Sequence, residues 1–281
     1  MQKNLNMTMV DWYSEGIGLC YVVEKKILER QTKYQKIEIY ISKQFGKLLF
    51  IDGNLQSVEK FEENYHEILV HPAIFPHPDC KKVLIIGGGE GATLREVLKH
   101  PVEKTKMVDI DGEMIEIAKN YLKYDRGAFC DKRTELVIDD GVKFIEREKE
   151  IYDVIIVDAT DPSENSHYLY TTDFYIKVFS RLNKFGIFTT YAGGGYYFNP
   201  EVLKMIYKNM KNVFDMAKIY SFPIAGFLPG FSFVIGVKGN INIENIPEIK
   251  TEIELKYYSP EIHPHLFVLP YYFEKEIKNI E

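Results

Sequence analysis

Cysteine and tryptophan are scarce in this chain of 281 residues, which holds three of the first and one of the second. Cys20, Cys80 and Cys130 share no CxxC spacing and no neighbouring histidine pair, which excludes a zinc finger or ribbon, and no metal is expected. Their odd number points to reduced thiols and a cytoplasmic protein. Positive charge is also short: 35 Lys and Arg against 41 Asp and Glu leave a formal net charge of −6. That balance argues against a nucleic-acid partner, which needs a basic footprint. It is compatible with a cationic small substrate, although taken alone it is far better accounted for by solubility. No apolar run approaches the roughly 18 residues of a membrane span, and residues 1–11 lack a signal-peptide pattern, so no membrane partner is expected. Glutamine is nearly as rare as cysteine, amid abundant Lys, Glu and Ile, a composition in keeping with a thermophile.

What the chain does have is periodicity of two kinds. Between Gly18 and about Ser57 the signal is strand: residues 19–23, 37–41 and 48–51 are β-rich, and the second run alternates with period two. Asp52-Gly53-Asn54 is a hairpin turn signal. Residues 62–69 begin a helix with Tyr65, Ile68 and Leu69 at helical spacing, and Pro72, Pro76 and Pro78 form the connection. Beyond Lys81, strands 83–86, 106–109, 134–138 and 152–157 alternate with helices 92–99, 112–121, 142–148 and 172–182. Strands 187–191 and 232–237 follow, the last expected to run antiparallel. The pattern predicts an α/β fold: a Rossmann-like doubly wound sheet over 76–281, after a small antiparallel β domain and linking helix over 1–75.

Residues 81–100 organise the rest. Val83-Leu84-Ile85-Ile86 shows no polar alternation, as in a strand buried on both faces, and breaks into Gly87-Gly88-Gly89-Glu90-Gly91 before a helix. At such a strand–loop–helix turn, glycines let the backbone approach a ligand. Glu90 places a carboxylate where a pyrophosphate would be repelled. Asp109, roughly 20 residues on, ends the next strand, where an acid takes a ribose diol. Acids follow each of the first strands of the sheet: Glu90, then Asp109 and Asp111, then Asp139 and Asp140, then Asp158 and Asp161. Each alone reads equally well as a helix cap. Together they describe a crevice that needs a cation. Carboxylates also suit Mg²⁺, but the crevice offers such an ion no phosphate-binding partner, so an organic cation is preferred.

These residues resemble a family. Val83 through Gly91, Leu94-Arg95-Glu96-Val97-Leu98-Lys99-His100, Tyr65-His66-Glu67 and Tyr152 through Pro162 look like the polyamine aminopropyltransferases, spermidine synthase and its relatives. Residues 49–56 and 257–263 match too, so the resemblance covers nearly the whole chain. It implies a methyltransferase-type α/β domain behind an N-terminal β domain, assembled as a homodimer or homotetramer. It also implies transfer of an aminopropyl group from decarboxylated S-adenosylmethionine, a co-substrate and not a bound cofactor, to a cationic polyamine acceptor, with release of 5'-methylthioadenosine.

Carried over residue by residue, the resemblance makes Asp158 the general base with Tyr65 as its helper. Gln35, Gln56, His66, Gly87, Gly89, Glu90, Asp109, Asp140 and Gly141 would hold the donor. Asp161, Tyr65, Glu164 and Phe222 would meet the acceptor. The donor ends in an ammonium where S-adenosylmethionine also carries a carboxylate, and Glu90 would attract the first and repel the second. The departures cluster at the acceptor side: Phe61 and Glu63 replace the family's Asp and Phe, Ser163-Glu164-Asn165-Ser166-His167 replaces Val-Gly-Pro-Ala-Glu, Tyr191-Ala192-Gly193-Gly194-Gly195-Tyr196 stands for Gln-Gly-Glu-Ser-x-Trp, and Ser221-Phe222-Pro223 stands for Thr-Tyr-Pro. The donor is therefore better defined than the acceptor. Two other readings stay open at this point: a methyltransferase using intact S-adenosylmethionine, which shares the fold and ribose acid, and a polyamine-binding protein without turnover.

Overall fold

The chain opens with an antiparallel hairpin, β1 (Met7–Ser14) and β2 (Ile17–Val23), followed by a four-stranded antiparallel meander of β3 (Lys25–Gln31), β4 (Lys36–Ser42), β5 (Gly46–Ile51) and β6 (Asn54–Val58). The computed structural model describes residues 7–162, 166–198, 200–228, 230–246 and 253–280. Asp52 and Gly53 both take positive φ, 50° and 83°, which gives the tight turn from β5 to β6. β1 and β3 were not expected from the sequence: most of their residues are exposed or half-buried, and so carry little hydrophobic signal.

Helix α1 (Glu62–Ile74) outruns its expected end by a full turn and contains Pro72. Burial explains this. Val70, Ala73 and Ile74 are enclosed beside Leu94 and Val97, and that packing outweighs the backbone hydrogen bond that proline cannot donate.

The second part is built from β7 (Lys82–Gly87), α2 (Ala92–Leu98), β8 (Lys104–Asp109), α3 (Gly112–Ile117), β9 (Thr134–Ile138), α4 (Gly141–Arg147), β10 (Tyr152–Asp158), α5 (Thr172–Ser180) and β11 (Leu182–Tyr191). It continues through α6 (Gly195–Phe198), α7 (Pro200–Lys211), β12 (Met216–Ser221), β13 (Ser232–Val237) and α8 (Tyr271–Lys278). The seven strands lie in the order β12-β13-β11-β10-β7-β8-β9. β9, β8, β7, β10 and β11 are parallel, while β13 runs antiparallel between β11 and β12, as expected. The expected helix over 112–121 is α for one half and a π turn over Ala118–Leu122 for the other. β12, α6, α7 and α8 were not expected.

Val83, Ile85, Val154 and Ile156 face a core shared with α1 and with Ile37, Ile39 and Leu49 of the meander. Leu84, Ile155 and Val157 face the opposite layer, with Phe174, Leu203 and Phe273 from the covering helices. The chain thus turns back on itself between β7 and β10, and a doubly wound sheet opens a crevice at such a switch point. Among the described residues no helix is long and apolar enough to cross a membrane.

Candidate active site

At the carboxyl end of β7 the chain lies directly against β10: Gly88 N donates to Asp158 O at 2.8 Å. Gly87 has φ of +85°, and a Cβ there would sit 2.1 Å from that same carbonyl, so only glycine permits the approach. The crevice that results is a cavity of about 790 Å³.

Gln35, Gln56, Glu90, Asp109 and Asp140 line one part of it, with Gly87, Gly89 and Gly141 supplying bare backbone. Asp109 Oδ1 accepts from Asp111 N at 2.8 Å. Burial pushes the Asp109 carboxyl up to about 6, partly offset by that amide. Asp111 and Asp140 are the helix caps that each acid alone could have been. Asp111 caps α3 and also accepts from Thr32 Oγ1 at 2.7 Å and Gln35 Nε2 at 3.0 Å. Asp140 caps α4 through Val142 N and Lys143 N while still facing the cavity.

Glu90 is held by two donors: Ser57 Oγ reaches Oε2 at 2.8 Å, and His66 Nε2 reaches Oε1 at 2.9 Å. His66 was expected to touch the donor. It is buried behind Glu90 and does not line the cavity, so its influence passes through that carboxylate. The next residue along α1, Glu67, is fully buried and turned away. It accepts the backbone N–H groups of Lys256 at 3.0 Å, Tyr257 at 2.8 Å and Tyr258 at 2.9 Å, pinning the 256–258 segment.

Tyr65 Oη donates to Asp158 Oδ1 at 3.1 Å, and Thr93 Oγ1 donates to Oδ2 at 2.5 Å. Burial raises the Asp158 proton affinity; the charge on His66 and the Thr93 and Tyr65 hydrogen bonds pull it back. Beyond Asp158 the cavity continues to Asp161. Its carboxyl is hemmed in by the walls while still open to the cavity, and is raised first by burial and then by neighbouring Asp11.

Aromatic rings close this end. Tyr191 and Phe231 stand 5.9 and 6.4 Å from the Tyr65 ring, and Phe198 and Phe227 also face the space. Phe222 is not part of this wall. It is half-buried on the core side, and its amide donates to Phe231 O at 3.3 Å, so it backs a lining residue. Glu164 lies outside the described residues.

Sequence reasoning missed Asp11, Trp12 and Tyr13 of β1, Thr93 and the rings Phe198, Phe227 and Phe231, while Tyr191 falls in a segment already placed at the acceptor side. Alternation through Met9, Asp11 and Tyr13 is a weak signal for Asp11 and Tyr13 alone, since Trp12 occupies the other face of the strand. The rings converge only in three dimensions. Among the described residues no group of three or more His, Cys, Asp or Glu is arranged to hold a metal ion.

A switch-point crevice lined by carboxylates, with a tyrosine hydrogen-bonded to a half-buried aspartate, defines an α/β enzyme of the methyltransferase-like fold. A family model described as the spermine/spermidine synthase domain matches residues 62–248, and one described as the spermidine synthase tetramerisation domain matches residues 11–59. The polyamine aminopropyltransferase of Thermococcus onnurineus is 44% identical over 96% of this chain and 96% of its own length. That of Pyrococcus abyssi is 42% identical over 97% of this chain and 100% of its own. A crystal structure of spermidine synthase in complex with the transition-state analogue AdoDATO superposes with a TM-score of 0.94 at 34% identity, covering 99% of this chain and 97% of that one. The spermidine synthase of Thermotoga maritima gives 0.91 at 34% identity, covering 99% and 96%. The chain belongs to the spermine/spermidine synthase family, and it is an aminopropyltransferase.

Proposed function

We propose that the enzyme moves the aminopropyl group of decarboxylated S-adenosylmethionine to an amine acceptor and releases 5'-methylthioadenosine. The observation that carries this reading is that Asp109, Glu90, Asp158 and Asp161 all line one cavity, a set of carboxylates suited to a donor with a ribose and an ammonium and to a cationic acceptor. Asp109 takes the ribose hydroxyls and Asp140 the adenine amino group, with Gln35 and Gln56 beside them. Glu90 meets the ammonium of the aminopropyl arm, and the backbone of Gly87, Gly89 and Gly141 lets the adenosyl moiety lie close. Asp161 and the surrounding rings take the far end of the acceptor.

The chemistry is an in-line displacement. The acceptor nitrogen's lone pair attacks the methylene carbon beside the sulfonium, the C–S bond breaks, and the sulfur leaves as a neutral thioether. An alkylamine is protonated at neutral pH, with a pKa near that of lysine at about 10.4. The protein must therefore lower that value by desolvation and take the proton, and Asp158 Oδ1 and Oδ2, oriented by Tyr65 and Thr93, are the oxygens for it. Acceptors within this reading are putrescine, agmatine, 1,3-diaminopropane or a longer polyamine.

The 11–59 match to a tetramerisation domain supports assembly as a homodimer or homotetramer. A working division places the β domain and linking helix in 1–75 and the catalytic domain in 76–281, in a protein of the cytoplasm.

Methylthioadenosine release from decarboxylated S-adenosylmethionine tests the assignment, with 1,3-diaminopropane, putrescine, cadaverine, agmatine and spermidine as separate acceptors. Release with one or more of them is expected, and the ranking names the acceptor. Methyl transfer from intact S-adenosylmethionine with no release in the panel would establish the methyltransferase reading. Thermal stabilisation by the amines without turnover would establish a binding protein.

A further inference from the structure

Both ring nitrogens of His66 face oxygens. Nδ1 lies 2.6 Å from Glu62 O and 3.1 Å from Glu62 Oε2, and Nε2 lies 2.9 Å from Glu90 Oε1. A carbonyl and two carboxylates are acceptors only, so the ring satisfies all of them only when both nitrogens carry protons. Glu62 is in turn fixed from the far side. Arg95 of α2 grips it with both arms of the guanidinium, Nη1 to Oε1 at 2.8 Å and Nη2 to Oε2 at 2.9 Å. The same Arg95 is tied to Glu96 Oε1 at 2.8 Å and to Tyr124 O at 2.6 Å, so it cannot swing away.

We propose that Arg95 and Glu62 are positioning residues that seat His66 as a buried imidazolium between Glu62 and Glu90, and that this fixed cation keeps Asp158 in its proton-accepting form. The inference rests on the assignment of Asp158 as the base. The groups facing His66 and its partners are Glu62, Glu63 and Tyr65 from α1, Arg95 from α2, Glu90 from the glycine loop, Ser57 from β6, Asp158 from β10, and Tyr124 and Arg126 from the segment after α3. Burial opposes a charge on the ring, but the bonds to Glu62 and Glu90 hold it protonated well beyond the usual histidine range. The His66 ring centroid lies 5.0 Å from that of Tyr65, whose hydroxyl donates to Asp158 Oδ1 at 3.1 Å, so the cation stands beside the carboxylate and its charge opposes the effect of burial there. Neither Arg95 nor Glu62 lines the cavity; both act through the imidazole.

¹⁵N chemical shifts of the His66 ring in the whole enzyme at pH 8, assigned by their absence in His66→Gln, read its state without any turnover. Two protonated nitrogens are expected, and a neutral ring overturns the proposal. In kinetics, Glu62→Gln keeps the volume and removes the charge. The acid limb of its kcat/KM profile should move up by about half a pH unit or more, as for any loss of a neighbouring cation beside a carboxylate base. Adding Glu62→Gln to His66→Gln should move it no further. An unmoved limb, or shifts that add, would sink the assignment. Failure of the wild type to release methylthioadenosine would instead count against the proposed function, because the ¹⁵N readout does not depend on it.

Discussion

Thr93 Oγ1 and Tyr65 Oη reach opposite oxygens of one carboxylate, Thr93 at 2.5 Å from Asp158 Oδ2 and Tyr65 at 3.1 Å from Oδ1. Each carboxylate oxygen has a further lone pair, so the clamp fixes the group without using it up. Asp158→Asn should lower kcat by about two to four orders of magnitude, the range for loss of a general base, with donor binding largely spared. Single-turnover rates with equilibrium donor binding on the same variant make the check.

Thr93→Val keeps the shape of the side chain and removes a hydrogen bond that favours the charged form. Asp158 then holds its proton to higher pH, so the acid limb of the kcat/KM profile should move upward, while Thr93→Ser should leave it in place. The pH profiles of the two variants, compared with wild type, decide this.

Asp109 should impose its own pH dependence on donor binding. Its carboxyl titrates at about 6 in the folded chain, and only the ionised form accepts from both ribose hydroxyls. Donor KM should rise as pH falls through that value, with less effect on acceptor KM. For stability the sign is opposite. A carboxyl raised above its usual 3.8 disfavours the unliganded fold above about pH 6, and that penalty fades as the pH drops. Asp109→Asn should therefore raise the Tm of the unliganded enzyme at pH 8 while weakening the donor.

Glu90→Gln should narrow the preference for decarboxylated over intact S-adenosylmethionine by about tenfold or more, a change of about 1.4 kcal/mol. Competition binding of the two compounds measures it. Unchanged selectivity would remove Glu90 from discrimination.

Gly195 sits at φ +68°, where a Cβ would fall 1.6 Å from Gly230 O and 2.5 Å from Ser232 Oγ. Gly195→Ala should force apart the two segments that carry Phe198 and Phe231. A lower Tm and a fall in acceptor kcat/KM of about tenfold, equal to about 1.4 kcal/mol, are expected, with donor affinity little changed.

The parts of this molecule that could be read from the chain are those where one local pattern determines one outcome. Val83 through Ile86, without polar alternation, read as a strand buried on both faces, and Gly87 through Gly91, sharpened by Glu90 and Asp109, as a loop against a ligand. The acids at the strand ends followed from that frame, and Glu90, Asp109, Asp140, Asp158 and Asp161 do line the cavity. His66 and Phe222 were misplaced because sequence spacing fixes which face of an element a residue occupies and not how deep it lies. His66 stands one carboxylate behind the surface, and Phe222 one ring behind. Asp11 and Tyr13 were missed because β1 is half-exposed along most of its length and alternates weakly. α7 is a different case: Leu203, Ile206, Tyr207 and Met210 recur at helical spacing and are buried, so its signal was present. The turn into α6 is another matter: Gly193 and Gly195 take positive φ there, which no periodicity shows.

Tyr65, His66 and Glu67 are consecutive on α1 yet contact Asp158, Glu90 and the 256–258 segment respectively. A helix turns about 100° per residue, so the three side chains work like lobes on a camshaft, timed by the backbone alone. One residue inserted or removed upstream within the helix would turn the whole set together, and no change of side chain would restore the phase.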